Sequence, residues 1–563
     1  MSAITLQPTQ VIPNPPPSGV CIEAEAVSRV LRNGSPILNE VSVVIEPGQL
    51  VAVIGASGSG KTTLLETLAG LRFPTSGRVL LAGRDVHLER GELRGAIGYV
   101  PQDDIIHREL PVRATVRHAA RLRLPELEGA ALDERVDQTI DALGLTDRSA
   151  TAVGRLSGGQ RKRVSIAVEL LTGPRAFFLD EPTSGLDPGT ARSLVGSLRG
   201  LAAKGSTVMM TTHSPDDVEQ CDQVIVLLPG GRLAFQGAPA DALEHFGVTS
   251  LAEIYRVLDD APHLNPSTVA SGTPRARCRP LSAEASGPRP TRRLGHQWTV
   301  LTRRNVEVLA RNRLTLAIML GAPVLVIGMF VILFRPGAFD TDGDPLAAVG
   351  TTYWLAFASF FFGLTYGLLQ VVTEMAVVRR ERHVGVGVVP YLLAKVAVLL
   401  PVLLFVVVAM VAALYGTGRL PGASAGTTAA LIGVLVLEAV AALALGLLTS
   451  AAVSDPSQAT LALPMLCFPA VLFGGAVLPV HAMATAGQLI SVVTPDRWAF
   501  ESLGRILDLP TRFGVGADAT LVTDQHGQAF SGGAAAPAAL LVAFTVAFLV
   551  AAVRVLHRRT AVH

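Results

Sequence analysis

Six stretches in the second half of this chain, at 314–334, 351–373, 391–415, 426–453, 457–480 and 534–556, are apolar over nearly their whole length, and most carry no charge. A helix needs about twenty apolar residues to cross a bilayer, so these stretches read as six membrane spans. The third and fifth contain proline and are the ones expected to kink or to re-enter. Residues 294–563 are therefore expected to form an all-α six-helix transmembrane domain. The composition agrees: half of the 563 residues are hydrophobic and the mean hydropathy is +0.45, too apolar for an ordinary soluble protein.

The first half differs. Residues 1–19, with "PNPPPSG", read as a flexible tail. From 20 to 257, short β-branched runs such as "LVAVIG" and "TVMMTTH" alternate with helix-period segments, the pattern of a layered α/β domain. Residues 258–293 are rich in Pro, Ser, Ala and Arg, hold few large apolar side chains, and read as a linker. The N-terminus shows no secretory signal, so the first domain is expected in the cytoplasm. Arg303, Arg304, Arg311 and Arg313 precede the first span, Arg379, Arg380 and Arg382 lie between the second and third, and Arg554, Arg558 and Arg559 end the last. Such basic flanks mark the inner side, which puts both termini in the cytoplasm of a multi-pass cell-membrane protein. A net charge of +2 is too small to point to nucleic acid. Cys21, Cys221, Cys278 and Cys467 include no close pair and read as reduced structural thiols.

Chemistry concentrates in the first domain. "GASGSGKTT", Gly55 to Thr63, follows an apolar strand and opens a helix, the context in which such a loop holds phosphate. Backbone N–H groups over Ser57, Gly58, Ser59, Gly60, Lys61 and Thr62 would wrap a β-phosphate. Lys61 would reach the β- and γ-phosphates, and the Thr62 hydroxyl would ligate Mg²⁺. "AFFLDEPTSGLD" is an apolar strand ending in two acids: Asp180 would hold Mg²⁺ through water and Glu181 would act as general base. Gln102, in "YVPQDD", is placed to touch both metal and water, and His213, after "TVMMTT", to contact a γ-phosphate. Asp187 either crosses to a partner or caps the following helix. "LSGGQRKR", with Leu156, Ser157, Gly158, Gly159 and Gln160, is a second glycine-rich helix start in a chain that already holds a complete phosphate loop.

Taken in order, "GASGSGKTT", "YVPQDD", "LSGGQRKR", "FFLDEPTSGLD" and "TTH" closely resemble the ATP-binding domain of ABC transporters. The order of domains resembles the G subfamily, the White-type half-transporters, as do "EMAVVRRERHVGVGVVPYLLAKVAVLLP" and "FGGAVLPV…PDRWAFESL". The resemblance implies an α/β P-loop NTPase domain with a helical subdomain, ATP and Mg²⁺ as ligands, and a dimer. In that family two such domains meet head to tail, so Ser157, Gly158 and Gly159 would close over a nucleotide held by a second half-transporter, most simply a second copy. One departure stands out. The family stacks adenine on an aromatic residue where this chain has Val30, which weakens base selectivity and leaves phosphate binding intact.

In the membrane half, the resemblance places coupling to the ATPase at 294–312 and at Glu374, Arg380 and Glu381. It places a substrate cavity at Phe362, Phe468 and Val471, and an outer constriction at Ala476 and Val477. Glu438, mid-span in "VLVLEAVAAL", would cost several kcal/mol as a bare ion and is expected at a polar cavity or a helix contact. "GLTYG" would permit close helix packing. The expected activity is ATP-driven export of a lipid, sterol-like or other amphipathic molecule by alternating access. The alternative is a non-transporting ATPase that signals to an external partner.

Overall fold

The computed structural model describes residues 19–31, 33–93, 95–259, 294–340, 342–512 and 517–560, which form two compact units, one from 19–259 and one from 294–560. The expected tail, to residue 18, and linker, from 260 to 293, lie outside the described residues.

In the first unit the β-branched runs become ten strands. These are β1 (Ile22–Val30), β2 (Pro36–Ile45), β3 (Leu50–Gly55), β4 (Ser76–Leu81), β5 (Arg84–Asp85), β6 (Ile97–Val100), β7 (Ala176–Leu179), β8 (Thr207–Thr211), β9 (Gln223–Leu228) and β10 (Arg232–Gly237). An antiparallel sheet runs β2-β1-β4-β5. A second sheet runs β10-β9-β3-β8-β7-β6 and is parallel except at β10. β3, β7 and β8 are buried at every position, because both faces of a parallel sheet are covered. Pairing of Val53 with Thr211 and of Leu179 with Met210 brings the carboxyl ends of these three strands to one edge, where open α/β sheets bind ligands.

Helix α1 (Lys61–Leu68) follows β3 directly. Between β6 and β7 come α2 (Val112–Arg123), α3 (Gly129–Ala142) and α4 (Gly158–Leu170), the expected helical subdomain. A buried bidentate pair, Arg123 to Glu169 at 2.7 and 2.6 Å, pins α2 to α4. Helix α5 (Pro188–Ala203) follows β7. Cys221 and Cys467 are free thiols, whereas Cys21 is disulfide-bonded, a departure from the all-reduced expectation. Every other cysteine stands at least 200 positions away, so spacing carried no hint of it.

The second unit is helical: α6 (Leu294–Arg311), α7 (Arg313–Leu333), α8 (Pro345–Leu368), α9 (Met375–His383), α10 (Val388–Gly416), α11 (Ala425–Ala452), α12 (Pro456–Phe473), α13 (Pro495–Ile506), α14 (Ala517–Phe530) and α15 (Ala535–Thr560). Six of its helical segments are long and apolar enough to cross a membrane. The fifth span is shorter than expected, because the chain leaves the helix at Gly474 and Gly475 instead of continuing to 480. The segment between the fifth and sixth spans contains α13, whose Ala499, Phe500 and Leu503 are buried in the core of this unit.

The closest helix packing uses "GLTYG". A Cβ on Gly363 would stand 2.0 Å from the Ala439 carbonyl oxygen, and one on Gly367 would stand 2.6 Å from that of Leu443. Small residues at such crossings let backbones approach. Gly363→Ala is therefore expected to destabilise the protein by about 1–3 kcal/mol, the usual effect of overpacking. Gly433→Ala, in α11 with open space around the site, serves as the neutral control. Thermal unfolding in detergent checks the pair, and equal melting of the two variants would refute the close contact.

Candidate nucleotide site

The phosphate loop links β3 to α1 through backbone that only small residues tolerate. A Cβ on Gly55 would meet the Leu227 carbonyl oxygen at 2.5 Å, one on Gly60 would meet that of Ile37 at 2.6 Å, and Gly58 has φ +77° with open space in front of it. Ser59 is fully buried against Gly55 and its hydroxyl has no hydrogen-bond partner. Lys61 folds back, its Nζ donating to the carbonyls of Gly55 at 2.9 Å and Ala56 at 3.0 Å. Burial pushes its pKa below the ordinary lysine value, and the Glu181 and Asp180 carboxylates oppose that shift. Open glycine backbone, an ammonium and a helix start suit a polyphosphate.

The acids stand beside this loop. The Thr62 hydroxyl donates to Asp180 Oδ1 at 3.1 Å, and the Thr211 hydroxyl donates to the same oxygen at 2.7 Å. Thr62 and Asp180 thus present two oxygens to one point, the donor set of a hard divalent cation. Glu181 follows with φ +43°, a left-handed conformation that side chains rarely adopt, held by its N–H donating to the Thr211 hydroxyl at 2.8 Å. Gln102 Nε2 donates to one Glu181 oxygen at 2.9 Å, and His213 Nε2 stands 2.7 Å from the other. Gln102, Asp180, Glu181, His213 and Lys61–Thr62 therefore come together from the ends of β6, β7, β8 and β3. Thr211, which braces both acids, was missed by sequence reading. Its only signal was a hydroxyl at the end of the strand next to the acidic one.

The second glycine loop lies apart from the first. Ser157 caps α4, its hydroxyl accepting from Gln160 N at 3.3 Å while Gln160 Oε1 accepts from Ser157 N at 3.2 Å. Ser157 and Gly158 are exposed, and Gly159 is packed against Thr190 and Leu186. Among the described residues no hydrogen bond joins Leu156, Ser157, Gly158, Gly159 or Gln160 to 55–63. Asp187 caps α5, accepting from Thr190 N at 3.0 Å, and those bonds hold its carboxyl below the usual range. Val30 is exposed at the end of β1 and Leu31 follows it, so this edge is aliphatic.

In the helical unit, Glu374 accepts from Lys395 Nζ at 2.7 Å and from the Tyr391 hydroxyl at 3.0 Å. Glu381 is buried in a bidentate pair with Arg304 of α6, and Arg380 is half-buried. Gln297, also on α6, accepts from Gly387 N at 2.9 Å. Removing one partner of a buried ion pair strands the other, at a cost of about 3–5 kcal/mol. Arg304→Met is expected to destabilise by that amount and Arg304→Met with Glu381→Leu to recover most of it. Chemical unfolding checks both, and a stable single variant would contradict the pairing.

Phe362 and Glu438 are 2% and 0% exposed, packed within their own unit. Glu438 lies beside Asp496 at the start of α13, and both side chains are fully buried. Phe468 and Val477 are exposed, and Val471 and Ala476 are half-buried.

Residues 38–184 match the family model described as ABC transporter, and residues 296–507 match ABC-2 type transporter. The chain is 34% identical over 507 residues to the ABC transporter ATP-binding/permease protein Rv1747 of Mycobacterium tuberculosis, covering 87% of this chain and 58% of that protein. It is 30% identical over 520 residues to ABC transporter G family member 7 of Arabidopsis thaliana, covering 83% and 70% respectively. It is 40% identical over 223 residues to Protein white of Drosophila melanogaster, covering 37% and 32%. Among solved structures, cbiO1 of Clostridium perfringens, part of the ABC transporter complex cbiONQ, aligns at 29% identity with a TM-score of 0.38, over 43% of this chain and 95% of that one.

Proposed function

The chain belongs to the G family of ABC transporters, and from that premise we propose that it is an ATP-driven exporter of a lipid, sterol-like or other amphipathic molecule, working by alternating access as a dimer of identical half-transporters. The observation that carries this reading is the hydrogen-bonded network of Thr62, Asp180, Thr211, Glu181, Gln102 and His213 beside the phosphate loop that holds Lys61.

Glu181 is fitted to take a proton from an attacking water, since Gln102 and His213 hold its two oxygens in place and Thr211 holds its backbone. Lys61 would exchange its two carbonyl contacts for phosphate oxygens. Thr62, Asp180 and Gln102 would hold Mg²⁺, which when bound neutralises charge developing on the transferred phosphoryl group. The exposed Ser157–Gly158 loop has no phosphate to hold within its own chain, which supports closure over a second copy's nucleotide. The basic flanks of the spans support a cytoplasmic ATPase with both termini inside.

A signalling ATPase needs an outer domain for its partner to grip. The segment between the last two spans instead buries one face of its helix α13 within its own unit, which favours transport. The test is purified protein in sealed vesicles, assayed for ATP hydrolysis and for movement of labelled lipids and sterols in both orientations. ATP-dependent movement away from the ATPase side is expected. Hydrolysis without movement of any labelled cargo would favour the signalling reading.

A further inference from the structure

Lys162, in the second turn of α4, is buried where a lysine ordinarily points to water. Its ammonium donates to the main-chain carbonyls of Pro101 at 2.9 Å and Gln102 at 2.6 Å, just past the end of β6. Those carbonyls lie beyond the ladder pairing of β6 with β7, which ends at Val100, so Lys162 supplies donors that the sheet does not. The neighbouring Arg161 approaches Asp104 at 3.6 Å, so two successive cations of α4 grip one short segment. Burial lowers the pKa of Lys162, and the Asp104 and Asp180 carboxylates counter that effect.

The same segment reaches the hydrolytic centre. The side chain of Gln102 donates to Glu181 at 2.9 Å. One residue therefore separates the Lys162 ammonium from the carboxylate that orients water. α4 begins just before this lysine, with Ser157 and Gly158, the exposed loop read above as closing over a second copy's nucleotide. A helix is stiff over the five positions from Ser157 to Lys162, so displacement of the cap moves the lysine.

We propose that Lys162 is a positioning residue that couples the two half-sites of one chain: engagement of the Ser157–Gly159 loop by the second copy moves α4, and Lys162 carries that movement through Gln102 to Glu181. This rests on the ATPase reading above and adds to it a route by which one site reports on the other. A tether of purely structural kind would instead keep the 101–104 segment folded, with no dependence on the Gln102 amide.

The test uses full-length protein in nanodiscs. Lys162→Met keeps the stem and removes the charge. It is expected to lower kcat about tenfold to a hundredfold, with the KM for ATP within about twofold, as for a misplaced catalytic group. Lys162→Arg, which still donates to both carbonyls, is expected to recover most of the rate. In a Gln102→Ala background, Lys162→Met is expected to add almost nothing, because the effect passes through the missing amide. Losses that multiply in the double variant would overturn the proposal, as would a Lys162→Met change confined to KM. If Lys162→Met does not fold, Lys162→Gln, which keeps an uncharged N–H donor group, takes its place in the same cycle. A wild-type protein without ATP turnover would instead sink the ATPase reading itself, so the two failures are distinguishable.

Discussion

Exchanging Glu181 for glutamine is expected to lower ATP turnover about 10²- to 10⁴-fold, the range general-base loss usually costs, while nucleotide binding is retained. Glutamine keeps the size of the side chain and its acceptor oxygen. It cannot take a proton from water. Binding survives because the phosphate contacts come from the loop at Gly55–Thr63, whose backbone is fixed by packing against Leu227 and Ile37. The backbone at Glu181 adopts φ +43° in the wild type and is braced by Thr211, so the substitution leaves the local fold in place. Turnover under saturating ATP, set beside binding of a fluorescent ATP analogue, checks both halves. Near-normal hydrolysis would remove Glu181 from the role.

Ser157→Arg is expected to be at least as severe, lowering hydrolysis by about 10³-fold or more, since in the proposed head-to-tail dimer it removes a donor to transition-state charge and inserts a bulky side chain where the second copy would close. Its local cost is small by comparison. Loss of the helix cap costs about 0.5–2 kcal/mol, and Ser157 makes no hydrogen bond to the phosphate loop of its own chain. ATP binding by each subunit should therefore be unchanged.

Combining the two substitutions separates assembly models that neither resolves alone. In a head-to-tail dimer, Ser157 of one copy serves the same nucleotide as Glu181 of the other. Placing Ser157→Arg in one copy and Glu181→Gln in the other would damage one composite site and spare the second. Placing both in a single copy would damage both sites. Differently tagged subunits, co-purified and assayed for turnover, measure the contrast. Equal activity of the two arrangements would mean that the serine loop does not act across a dimer.

How much of this was legible beforehand varies with how local the cause is. The phosphate loop, the acidic strand end and the six spans were readable because each is encoded in a short run: strand–glycine–lysine spacing, apolar residues before two acids, twenty apolar positions in a row. Glu438 shows where that stops. Its position in mid-span marked it as polar and costly, and only packing showed Asp496 as its neighbour. Phe362 is likewise buried by neighbours that no local pattern names. Helix α13 carries no span signal, because its apolar residues are spaced for a short buried helix rather than for a membrane crossing. Lys162 stands in a run of three basic residues, and nothing local sets it apart from its neighbours Arg161 and Arg163; its two carbonyl partners do.

By itself the sequence determined which residue types stand where chemistry needs them, which segments are strands, helices and spans, and that one chain carries two unlike halves of a nucleotide site. Only the tertiary structure decided partners: Gln102 and His213 on the two oxygens of Glu181, Thr211 bracing both acids, Arg304 on Glu381, Lys395 on Glu374, and Lys162 on the segment before Asp104. The physical reason is range. Backbone geometry and hydrophobic periodicity act over a few residues and leave their mark in order along the chain. Ion pairs and buried hydrogen bonds join residues dozens of positions apart, and the chain must fold before either partner is within reach of the other.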